Sequence, residues 1–214
     1  MFSYASGGHR GSGKPSSLDP YAIGSLNTGI SKGTTYDDAV QRFREQLIKQ
    51  KNEFSAYVDE SGYIHALASS GTKDHTGVLP SSNVKNEKGI TTIIHNHPHF
   101  GGRIYGGTFS EDDLQYVVRE FAISGGKINT IIATAKEGIY TARVSKNVSE
   151  RALSNAYSRA EKAVKNKRYL TRKAAWADFH GALAKEMGKK NIGIQLSFSN
   201  NATKKNKLVT QKLK

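Results

Sequence analysis

Two histidines alternate in His95-Asn96-His97-Pro98, and a hydroxyl with three carboxylates follows in Ser110-Glu111-Asp112-Asp113. Imidazole and carboxylate are the side chains that bind borderline and hard divalent metals. These two stretches are therefore where the chain can do metal chemistry. The run Ile90-Thr91-Thr92-Ile93-Ile94 precedes the histidines; short, apolar and β-branched, it predicts a buried strand. Residues i and i+2 of a strand point the same way, so His95 and His97 project from one face. Pro98 then ends the ladder by removing a backbone donor. Asp113 can complete a His-His-Asp set and leave a fourth tetrahedral position for water, the open arrangement of a catalytic zinc site. Taken apart, each piece has a plainer reading: a hydrogen-bonded structural histidine pair, and Ser110 and Asp113 as helix caps.

The elements that must position these groups are legible as periodicities. Thr34 or Thr35 can cap a helix whose first turn carries Asp37 and Asp38, with Tyr36, Val40, Phe43 and Leu47 at helical spacing and an end near Lys51-Asn52. Residues 54–58 and 63–67, joined by Asp59-Glu60-Ser61-Gly62, predict a β-hairpin. A polar loop over 69–89 leads into the histidine strand. Ser110 as N-cap with Asp113 at the third helical position forms a capping-box pair, and Phe109 with Leu114 suits a hydrophobic staple. Leu114, Val117, Val118 and Phe121 make that helix's apolar face, and Gly125-Gly126 ends it. Strands over 128–134 and 139–144 turn at Lys136-Glu137-Gly138. Helix, hairpin, strand, helix, hairpin is the order of an α+β or α/β domain built on one sheet, over 34–144.

Beyond it, Ser149 can cap a helix to about residue 167 and Thr171 another to Gly188, with Ala175, Trp176, Phe179, Leu183 and Met187 on its apolar side. Residues 192–198 suit a last strand. The stretch 145–199 reads as a basic helical extension, 200–214 as a frayed basic tail, and 1–33 as a flexible Gly/Ser-rich lead-in. A phosphate-loop lookalike at Gly8-His9-Arg10-Gly11-Ser12-Gly13-Lys14-Pro15 fails, because Pro15 stands where a Mg²⁺-reaching Ser or Thr belongs and no strand precedes the first glycine.

The chain of 214 residues carries a net charge of +14, unevenly spread. Residues 1–144 hold 15 Lys and Arg against 14 Asp and Glu, whereas 145–214 hold 17 against 4. The positive field of that last third suits nucleic acid, an acidic protein or a membrane surface, and equally a plain lysine-rich solvated surface. Tyr157, Tyr169, Trp176 and Phe179 are spaced for core packing rather than base stacking, so the nucleic-acid reading rests on charge alone. The absence of cysteine excludes disulfides, thiolate metal sites and cysteine nucleophiles. Neither a signal peptide nor an 18-residue apolar run is evident, so a soluble, cytoplasmic protein without membrane partners is expected.

His95-x-His97-Pro98 followed by Ser110-x-x-Asp113 resembles the signature of the JAMM (JAB/MPN-domain) zinc metallopeptidases. The His-Asn-His-Pro wording is closest to their bacterial RadC-like and phage-associated branches, which points to a phage or mobile-element context. The family motif also has a glutamate at the start of the strand after the first helix, and Glu53 in Glu53-Phe54-Ser55-Ala56-Tyr57-Val58 matches in spacing and position. The resemblance spans roughly 34–144. It implies a mixed sheet flanked by helices, an α/β-type sandwich. It also implies Zn²⁺ held by His95, His97 and Asp113, with Glu53 taking a proton from the activated water and passing it to the leaving amine. Ser110 would hydrogen-bond the developing oxyanion.

One departure is the spacing. Eleven residues separate Pro98 from Ser110, more than the family usually has, and Gly101-Gly102 and Gly106-Gly107 would let that loop bulge or act as a substrate flap. Glu60, in the hairpin turn, is the rival general base. His65, His75, His99 and His180 are expected not to be ligands. The implied function is hydrolysis of a peptide or isopeptide bond in a protein substrate. The alternatives are a non-hydrolytic binding module on the same fold and a RadC-like DNA-associated protein, whose DNA binding through 145–214 would weaken with salt.

Overall fold

The predicted first helix is α1 (Tyr36–Leu47), which buries Ala39, Val40, Phe43 and Leu47 along one face. In the computed structural model of the chain, residues 36–47, 52–62, 64–69, 89–97 and 107–200 are described. The lead-in 1–33, the caps Thr34 and Thr35, most of the loop before the histidine strand, His75, Pro98, His99, residues 100–106 and the tail 201–214 lie outside the described residues. After α1 come β1 (Phe54–Asp59), β2 (Ile64–Ser69), β3 (Ile90–Asn96) and α2 (Glu111–Ile123). Then follow β4 (Thr130–Thr134), β5 (Gly138–Val144), α3 (Glu150–Lys165), α4 (Arg172–Met187) and β6 (Ile194–Asn200). Both expected hairpins are present, β1–β2 and β4–β5.

The strands form one mixed sheet in the order β2-β1-β3-β4-β5-β6. All neighbours are antiparallel except β3 and β4, which run parallel with α2 as the crossover between them. Because strand side chains alternate, the sheet has two separate apolar faces. On one, Phe54, Ala56, Val58, Ile94, Ile132 and Ile139 pack with the buried side of α1. On the other, Tyr57, Ile93, Ile131 and Tyr140 pack with Leu114 and Val117 of α2, Leu153 and Tyr157 of α3, and Phe179 and Leu183 of α4. The β3 alternation thus sends His95 and His97 to the α2–α4 face and Asn96 towards α1.

The stretch read from sequence as a basic extension shares this sheet and core. β6 pairs with β5 from Gly138↔Asn200 to Val144↔Ile194, and α3 and α4 supply much of the larger apolar cluster. Ser149 and Thr171 cap α3 and α4 by accepting from Ala152 N and Ala174 N, as their positions predict. Gly125 and Gly126 follow α2 with φ of 65° and 85°, a left-handed turn that favours glycine. Among the described residues, no helix is long and apolar enough to cross a membrane.

Candidate metal centre

His95 is the penultimate residue of β3 and His97 the first beyond it. The β4 neighbour extends the ladder past the strand end: His97 N donates to Thr134 O at 2.8 Å, and Thr134 Oγ1 to His95 O at 3.3 Å. Backbone alternation is therefore kept through His97, and both rings point the same way. Their Nε2 atoms lie 2.8 Å apart, with 2% of His95 and 3% of His97 exposed. His97 Nδ1 is 2.7 Å from Gly107 O. A carbonyl only accepts, so Nδ1 carries the hydrogen and the neutral ring offers a lone pair at Nε2. The 2.8 Å contact then requires the hydrogen of His95 to sit on Nε2, and a metal bound at that atom would displace it.

Two carboxylates close on this pair. Glu53 precedes β1, is 4% exposed, and brings Oε1 to 3.7 Å from His97 Nε2. Asp113 brings Oδ1 to 3.4 Å from His95 Nε2 and Oδ2 to 3.6 Å from His97 Nε2. One donor atom from each of Glu53, His95 and His97 lies within 4.8 Å of the others. Asp113 reaches the rings from the α2 N-terminus, where Ser110 N and Ser110 Oγ donate to its Oδ2 at 2.7 and 2.8 Å. Asp113 N donates back to Ser110 Oγ at 3.2 Å, completing the capping box. Oδ2 is thereby engaged and Oδ1 faces the imidazoles. Burial pushes the Asp113 carboxyl up, but His95 and His97 together outweigh it and hold it well below the usual carboxylate range.

The donor set fits a divalent metal. Zinc bonded to two imidazoles tetrahedrally sets their nitrogens roughly 3.3 Å apart, half an ångström or so beyond the spacing seen. Two buried, convergent ring nitrogens flanked by two carboxylates are a costly arrangement without a cation between them. Ser55, wholly buried and paired with His95 across the β1–β3 ladder, has no hydrogen-bond partner for its hydroxyl among the described residues.

Contacts that the sequence did not predict hold these residues in place. Asn96, between the histidines, faces the other way: its Oδ1 accepts from Phe54 N at 2.6 Å and its Nδ2 donates to Asn52 O at 3.2 Å. It grips the backbone on both sides of Glu53, just where β1 and β3 stop pairing. The segment entering α2 is pinned residue by residue. Thr108 Oγ1 is 2.8 Å from His180 Nδ1 on α4, and Tyr157 of α3 donates its hydroxyl to Phe109 O at 3.2 Å. The alternation of β3 was the only signal for Asn96, and nothing local signals the others.

His65, an expected non-ligand, and the rival base Glu60 are elsewhere. Glu60 is exposed in the β1–β2 turn, at the other end of β1 and roughly 20 Å from Glu53 by strand rise. His65 pairs with Asp59 at 2.9 Å near that same turn. Comparison with protein-family models, curated proteins and solved structures returns no match to this chain. What the structure carries is a buried His-His-Glu cluster arranged to chelate a divalent metal, within a mixed sheet flanked by helices.

Proposed function

We propose that this chain is a zinc-dependent hydrolase of peptide or isopeptide bonds, of the JAMM type that its motif resembles. The observation that supports it most is the pair of buried Nε2 atoms 2.8 Å apart with the carboxylates of Glu53 and Asp113 close by. His95, His97 and Asp113 would hold the ion, two neutral donors and one carboxylate. The bound ion supplies Lewis-acid chemistry and a water acidified towards neutrality. Glu53 is the remaining carboxylate, close to the histidines but not tied into the α2 cap. It is suited to take a proton and return it to the leaving amine. Ser110 sits at the α2 N-terminus with its hydroxyl donated to Asp113 Oδ2. To serve an oxyanion it must turn that proton away from Asp113, with Ser110 N left to hold the carboxylate.

Metal analysis of the purified chain tests this. Wild type should bind one zinc per chain, and His97→Ala and Asp113→Ala should lose it. Glu53→Gln should keep zinc and lose hydrolysis of peptide and isopeptide substrates by about 10²-fold or more. Wild type without zinc at neutral pH, after zinc has been supplied, would sink the proposal. A Glu53→Gln variant that loses zinc but an Asp113→Ala variant that keeps it would exchange the two carboxylates' roles.

A second reading, contact with nucleic acid or an acidic partner, has one observation behind it. Lys162, Lys165, Arg168 and Lys173 are exposed together around the turn between α3 and α4, beside the fully exposed Leu170.

A further inference from the structure

We propose that Glu137 is a positioning residue for the metal centre, setting the orientation and tautomer of His97 through Gly107. Glu137 lies in the β4–β5 turn, outside the motif and 30 residues from Gly107 in sequence. Its Oε1 accepts from Gly107 N, and also from Tyr140 Oη at 2.9 Å. Gly107 O in turn accepts from His97 Nδ1 at 2.7 Å. The order is thus Tyr140, Glu137, Gly107, His97, joined by hydrogen bonds at every step.

Two further contacts show that residue 107 is held rather than merely passing by. A Cβ built on Gly107 would stand 2.2 Å from Ala135 Cβ, so the chain lies flush on the turn at a distance only glycine allows. The turn itself is clamped from the opposite face of the sheet, where Arg44 of α1 donates to Ala135 O at 3.0 Å and to Lys136 O at 2.9 Å. With Gly107 N fixed by a carboxylate, its carbonyl oxygen is presented to His97 Nδ1. A ring nitrogen that donates there leaves the other, Nε2, as the ligand. Partners of this kind, one bond removed from the metal, fix the ring and raise its affinity.

The inference rests on the zinc reading for one of its two readouts only. In metal-free protein labelled with ¹⁵N-histidine, two-bond ¹⁵N–¹H spectra should show His97 as a single Nδ1–H tautomer. Glu137→Ala should turn that into a mixture and weaken zinc binding, measured against a chromophoric chelator, by about 10- to 100-fold. Glu137→Gln, whose amide oxygen still accepts both hydrogen bonds, should stay within a few-fold of wild type. Gly107→Ala should reproduce the Glu137→Ala result, and adding Ala135→Gly, which removes the methyl it strikes, should restore the tautomer. This pair also covers the case of a Glu137→Ala chain that does not fold. An unchanged His97 tautomer in Glu137→Ala, or in Gly107→Ala, overturns the proposal. So does equal loss in the Ala and Gln variants, which would report only a missing charge. If wild type binds no zinc, the zinc reading falls while the tautomer result still decides the role of Glu137.

Discussion

His180 shows at the residue scale how the centre's surroundings trade stability for order. It is 2% exposed, spends Nδ1 on Thr108, and leaves Nε2 buried without a partner among the described residues. Trp176 stacks near it, rings 13° from parallel, and Tyr140 and Phe198 meet its edges. Burial in that aromatic nest lowers its pKa from 6.5 to about 4. An unfolded chain therefore takes a proton at His180 between pH 6.5 and 4 that the native chain refuses. The stabilising contribution is complete above pH 6.5 and is lost as pH falls towards 4. Between pH 7 and pH 5 this group alone should cost about 2 kcal/mol. Urea unfolding of wild type and His180→Asn at those two pH values measures it: the wild-type loss should exceed the variant's by that amount, and equal losses would mean His180 is charged in the fold.

The N-terminus of α2 is a helix cap in which Ser110 and Asp113 satisfy each other, and Asp113 Oδ1 is left facing His95. The capping reading and the metal reading do not compete; the cap is what aims the carboxylate. Ser110→Ala should cost about 1 kcal/mol of stability from the lost cap, a fall of roughly 2–4 °C in Tm for a chain of this size. If Ser110 also serves an oxyanion, hydrolysis should fall by about 10²-fold or more, beyond anything the small loss of stability explains. Activity that falls only in step with Tm would confine Ser110 to capping.

The described residues form one sheet with two covered faces, and this governs how the chain's charge can be probed. Cutting the chain after residue 144 would strip β6 from β5 and remove Leu153, Tyr157, Phe179 and Leu183 from the larger cluster. Such a truncation would test folding rather than charge. Within α3 and α4 several charges are already paired, Arg159 with Glu186 at 2.6 Å and Lys167 with Asp178 at 2.8 Å. Lys162, Lys165, Arg168 and Lys173 remain exposed around the α3–α4 turn, so reversing these four to Glu in the full chain is the cleaner experiment. If the basic third contacts nucleic acid, wild-type affinity for duplex DNA should fall steeply with salt, and the reversal should weaken binding and flatten that slope. Affinity insensitive to both would remove the nucleic-acid role.

What the sequence determined by itself is what short-range physics writes into it. The two-residue period put His95 and His97 on one face, the Ser110–Asp113 spacing marked a capped helix, and glycine-bearing turns marked both hairpins. These patterns arise between residues two to five apart, so they survive in the linear chain. Glu53 was found only through a family motif, since nothing near it in sequence marks it as chemical. The tertiary structure alone decided that β3 lies between β1 and β4, and that Glu53 before β1 and Asp113 on α2 both reach the histidine rings. It also decided that 145–199 closes the sheet and covers its larger core, and that Asn96, Gly107, Glu137 and His180 stand behind the site. Strand order and these supporting contacts join residues 10 to 72 positions apart. They are settled by which apolar faces and backbone donors remain to be satisfied once the local elements have formed, and no local period records that.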